Sequence, residues 1–91
     1  MVTAEEILQQ SLDLLKERGK DYDSGRERSM LKIVKLFNII TSHDLNETDG
    51  WLFMQLLKIV RQNTNTTTHV DSYLDDVAYS ALKAESALNN I

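Results

Sequence analysis

The sequence predicts an all-α fold, a four-helix antiparallel bundle, and three observations carry that expectation. Its 91 residues contain no proline and three glycines, so the usual punctuation of strands and turns is almost missing. Apolar residues recur at helical spacing in four separate segments, not in the strict alternation of half-buried strands. Polar tracts separate those segments, as in a bundle of antiparallel neighbours. A chain of this length makes one domain, spanning residues 1–91, and buries only about 60–65% of its unfolded surface.

The first helix starts at Thr3, where T-A-E-E makes a capping box with Glu6. Ile7, Leu8, Leu12 and Leu15 follow at helical spacing, and Gly19 is placed to end the helix in a left-handed turn. A second box, Ser24 with Glu27, announces helix two, whose apolar residues run from Met30 to Ile40. The linker T-S-H-D-L-N-E-T-D then offers Asn46 with Asp49, or Thr48, as caps for helix three.

Helix three is expected over about residues 47–62 and is apolar on more than one face, from Trp51 to Val60. The tract N-T-N-T-T-T-H at 63–69 reads as a loop, because Asn and β-branched threonines disfavour helix and nothing apolar anchors them. Helix four then runs from about Val70 to Ala87, with Val70, Leu74, Val77 and Ala81 as its apolar strip. Helices two and three are more apolar than a monomer of this size hides comfortably. A homo-oligomer is therefore expected, a dimer whose four central helices come two from each chain.

Composition excludes several functions. The net charge is −4 with no basic run, so nonspecific nucleic-acid binding has no electrostatic support. No cysteine is present, which rules out disulfides and thiolate metal sites within this sequence. No stretch approaches a membrane span, and the N-terminal segment carries acids where a signal peptide carries bases. A cytoplasmic protein is the expectation. Covalent catalysis also lacks a basis, since no serine has a histidine at suggestive spacing.

The most informative residues are Asp71, Asp75 and Tyr79 on helix four. At i, i+4 and i+8 they line one strip of a helix, beside its apolar strip. Lys58 and Arg61, three residues apart on helix three, are the expected partners. Two readings stand for the acids: they hold a metal or a base edge, or they pair with Lys58 and Arg61 and fasten helix four to helix three. Arg61 has the planar fork that suits an oxyanion. Asp76 points about 100° away from Asp75 and is read as a solvated charge. Lys20, Asp21 and Tyr22 lie just past the expected end of helix one, where a loop carries function readily. His43 and His69 read as surface residues, and Trp51 as core or interface.

The segments R-G-K-D-Y-D (18–23), E-x-x-x-x-x-I-V-x-L-F (27–37), D-G-W-L-F-M-Q-L-L-K-I-V-R (49–61) and D-S-Y-L-D-D-V-A-Y-S-A-L (71–82) resemble, in order and spacing, a family of small phage and prophage proteins of unknown function. That family is similar to phage nucleotide-modification-associated helical domains and, more distantly, to MazG-like all-α pyrophosphohydrolases. The resemblance implies a phage origin, a MazG-like all-α fold and an association with nucleotides. It raises Lys20, Asp21 and Tyr22 to candidate ligand contacts, with Tyr22 stacking on a base and Lys20 reaching phosphate. Where relatives usually carry glycine after the tyrosine, this chain has Asp23.

MazG-like enzymes hold Mg²⁺ against a triphosphate with E-E-x-x-E on one helix and E-x-x-D on another. This chain keeps something like the second in Asp71, Asp75 and Asp76 but lacks the first, carrying Lys32, Lys35, Lys58 and Arg61 on its long helices instead. The leading expectation is thus a non-catalytic phage accessory module that binds a nucleotide or nucleotide-derived signal, with no cofactor. One alternative is an acidic phage protein that binds and inhibits a host defence or nucleic-acid enzyme. Another is a minimal Mg²⁺-dependent nucleoside triphosphate pyrophosphohydrolase using Asp71 and Asp75.

Overall fold

A computed structural model of the chain describes residues 1–21, 29–62 and 69–89, with the side chains of 19–21 left aside. It is all-α: α1 (Ala4–Asp21), α2 (Met30–Thr41), α3 (Glu47–Gln62) and α4 (Val70–Asn89). The helices are linked in the order α1–α4–α3–α2. Among the described residues α4 packs on both α1 and α3, while α2 packs on α3 alone.

Polar contacts give the direction of α3 against α4. Thr48 meets Ser86, Gln55 meets Lys83, Lys58 meets Asp75 and Gln62 meets the backbone of Ser72. One series rises as the other falls, so the pair is antiparallel. Helices α2 and α3 form a second antiparallel pair, with Asn38 against Leu45 and Val34 and Met30 against Gly50.

The core is small. Met30, Val34, Trp51 and Leu82 form its centre, and Leu15, Met54 and Tyr79 pack against it, so all four helices contribute. Each such buried side chain contributes about 1.5–3 kcal/mol relative to exposure. Gly50 permits the α2–α3 approach: a Cβ there would collide with Met30 Sδ and lie 2.8 Å from Val34 Cγ2.

Several helix ends match their sequence signals. Thr3 Oγ1 accepts from the Glu6 backbone N–H at 3.2 Å. Asn46 and Asp49 form a reciprocal box, each side chain accepting from the other's backbone N–H at 2.8–2.9 Å. Helix α3 spans the residues expected of it.

Other ends require correction. Helix α1 does not stop at Gly19 but continues through Lys20 to Asp21. An interior glycine costs only about 1 kcal/mol, and lysine is a good helix former. Lys20 and Asp21 therefore belong to the last turn of α1 and not to a loop after it. Helix α2 begins at Met30, preceded by Ser29, whose side chain makes no capping bond. The Ser24–Glu27 box, Tyr22, Asp23 and residues 63–68 of the expected loop lie outside the described residues.

Two faces also differ from expectation. On α1, Leu8 and Leu12 are exposed, and the inward face runs instead through Ser11, Leu14 and Leu15. On α4, Val70 and Ala81 are exposed, and the buried line is Leu74, Ala78 and Leu82, with Ser72, Asp75 and Ser86 beside it. The reason is that α4 serves two neighbours. A helix covered by both α1 and α3 buries a wider sector than one apolar strip predicts.

Candidate functional site

Asp75 stands at the junction of three helices. It is 4% exposed, on the face of α4 that α1 and α3 both cover. Its Oδ1 accepts from Arg18 of α1 at 3.0 Å, and its Oδ2 lies 3.0 Å from Lys58 Nζ of α3. The side chains differ in access: Lys58 is 14% exposed, whereas Arg18 is 46% exposed. One carboxylate thus holds two cations, and the three charges sum to +1 in a chain whose net charge is −4.

A buried carboxylate is costly to desolvate, and paired, hydrogen-bonded cations offset that cost. No buried side-chain nitrogen or oxygen among the described residues is left without a partner. The same contacts fasten α4 to both of its neighbours.

Small polar residues allow the close approach. Ser11 is 2% exposed and its hydroxyl donates to the Leu74 carbonyl at 3.0 Å. Ser11, Leu15 and Arg18 follow at helical spacing on α1. One turn beyond Asp75, Tyr79 stacks on Trp51 with ring centroids 5.9 Å apart and planes 28° apart. Towards the start of α4, Gln62 Nε2 donates to the Ser72 carbonyl at 3.2 Å and to Asp76 Oδ2 at 3.1 Å. Asp76 is therefore half-buried and hydrogen-bonded, not the solvated charge that its position suggested.

The remaining candidates are placed as follows. Asp71 shares the strip of Asp75 but sits exposed in the first turn of α4, where a negative charge favours the helix dipole. Arg61 is exposed in the last turn of α3 and engages a partner of its own. Lys20 and Asp21, two and three residues beyond Arg18, are helical in backbone, and Tyr22 lies outside the described residues. His43 is exposed, lies 5.8 Å from Phe37 with the two rings tilted by 34°, and shares a 2.7 Å hydrogen bond with Thr41 Oγ1. His69 is half-buried, and its carbonyl accepts from the backbone of Ser72 and Tyr73.

The donor set does not suit a hard cation. Magnesium asks for converging oxygens with free lone pairs, and both oxygens of Asp75 already face cations. Asp71, its expected companion, is exposed where Asp75 is buried. Among the described residues no group of three or more His, Cys, Asp or Glu is arranged to hold a metal ion.

Sequence reasoning missed Arg18, Ser11 and Gln62. Arg18 carried a signal, because it continues the helical spacing of Ser11 and Leu15. Its partner, however, is 57 residues away, beyond the reach of any local pattern.

A family model described as a domain of unknown function, DUF6378, matches residues 6–87. No curated protein and no solved structure matches the chain.

Proposed function

Because the chain belongs to the DUF6378 family, whose function is unknown, its role has to be read from its own residues, and we propose that it is a non-catalytic module binding a nucleotide or nucleotide-derived signal. The observation that carries the reading is the Arg18–Asp75–Lys58 cluster, an excess of positive charge held in fixed positions within an acidic protein. Asp75 orients both cations. Arg18, whose side chain reaches solvent, presents N–H groups to a phosphate oxygen, for which its planar fork is suited. Lys20, Asp21 and Tyr22, which follow Arg18 closely in sequence, are kept in this reading as further ligand contacts. The resemblance to phage nucleotide-modification-associated and MazG-like domains supports the same ligand class and an accessory role in a phage. The cation-filled surroundings of Asp75 favour binding over metal-assisted hydrolysis.

The test is a thermal-shift series with inorganic phosphate, nucleoside mono-, di- and triphosphates and cyclic dinucleotides, each with and without Mg²⁺. A ligand at one hundred times its dissociation constant stabilises by about 2.7 kcal/mol, a readily measured shift. Arg18→Gln should abolish it while leaving the fold intact, since Arg18 is half exposed. Absence of a shift with every compound would end this reading.

A further inference from the structure

We propose that the exposed apolar face of α2 and α3 is covered by the same face of a second copy of this chain, giving a symmetric dimer. This goes beyond ligand binding and rests on different residues. On α2 the face consists of Ile33, Leu36, Phe37 and Ile40; on α3 it consists of Phe53, Leu56 and Val60. Phe53 is 73% exposed and Ile40 is 72% exposed. A groove of about 420 Å³ between the two helices, floored by Met30, Val34 and Gly50, is wide enough for large apolar side chains.

The chain as a whole leaves more surface uncovered than a compact monomer does, and this face is part of that surplus. A compact folded monomer of 10.4 kDa exposes about 5,400 Å² by the usual scaling. This chain exposes 6934 Å², an excess of about 1,500 Å² over that expectation. Standard interfaces remove about 800 Å² from each partner, and obligate homodimers about 1,000–2,500 Å². Shape agrees: the radius of gyration is 14.4 Å, against about 12 Å for a compact chain of this length.

Charge identifies the occupant. Residues 36–43 of α2 and its exit, and residues 50–57 of α3, contain no Asp, Glu, Lys or Arg. A surface without charges gives an unlike partner no electrostatic register, and its complement must itself be apolar and uncharged. The middle of the face meets that description, with Asp49 at the groove and Lys32 and Arg61 next to Ile33 and Val60 at its ends, and the face carries both ridge and groove, as an isologous contact requires. Two α2–α3 pairs then close into a four-helix layer, with each α4 and α1 outside it.

The experiment uses the full chain in sedimentation equilibrium over a wide concentration range, with thermal unfolding at each concentration. The expected result is a species of twice 10.4 kDa and a melting temperature that rises with protein concentration. Phe53→Glu and Ile40→Glu should lower the association constant by orders of magnitude, whereas Leu88→Glu, at the far end of α4, should leave it unchanged. If the glutamate variants do not fold, the concentration dependence of the unmodified chain decides alone. A single 10.4 kDa species with a fixed melting temperature overturns the proposal. So does a dimer that survives both glutamate substitutions, or a monomer that partitions onto neutral phosphatidylcholine vesicles. None of these outcomes bears on phosphate binding, because Arg18, Asp75 and Lys58 all lie within one chain.

Discussion

At the scale of single residues, Asp75 and Asp71 separate two roles that look alike in sequence. Both are aspartates on one strip of α4, yet only Asp75 is enclosed and faced by cations. Asp75→Ala leaves a largely buried lysine without its carboxylate and should destabilise the chain by about 3–5 kcal/mol, read by urea unfolding. Asp71→Ala should stay within about 1 kcal/mol, the loss of a favourable helix-end charge. The two cations should differ as well. Removing either leaves the buried Asp75 with one cation, and Lys58→Ala should cost more than Arg18→Ala, because Lys58 is largely buried whereas water can reach the position of the half-exposed Arg18. Gly50→Ala is a third case, in which opposing effects can be ranked. Alanine gains about 1 kcal/mol of helix propensity, but overpacking against Met30 and Val34 costs about 1–3 kcal/mol. Net destabilisation is expected, with the fastest hydrogen exchange appearing in α2.

At the scale of elements, the start of α3 is set by side chains that local spacing reveals. Asn46 and Asp49 were legible because a capping box needs only four consecutive positions. Asn46→Ala should cost about 1 kcal/mol and lower the melting temperature by about 4–8 °C. The α2–α3 turn was less legible. Asn38 holds Leu45 by two 2.9 Å bonds, accepting from its N–H and donating to its carbonyl. Ser42 closes α2 with φ at 57°, a left-handed conformation that costs a side-chain-bearing residue about 1–2 kcal/mol. Ser42→Gly should therefore stabilise the chain in thermal unfolding. The end of α1 was misread because glycine is permissive, not prohibitive: Gly19 allows a stop, and the neighbouring helix formers decide.

At the scale of the whole molecule, helix number and the extent of α3 followed from periodicity, which is a local property. The order of packing did not, because nothing local says that α4 touches two helices and α2 only one. That asymmetry explains why the Lys58–Asp75 contact was foreseeable from two adjacent helices and the Arg18–Asp75 contact was not. It also predicts an order of assembly for the cluster. Lys58 and Asp75 are brought together by a short connection, so their pairing accompanies the docking of α4 on α3 at little loop-closure cost. Arg18 and Asp75 are 57 residues apart, a longer loop that costs about 1 kcal/mol more to close, so their pairing is expected to come second. The cluster gains its second cation only when α1 and α4 have met, so under the proposed function a bound anion would act as a latch on the finished fold and slow its opening from the α1 side.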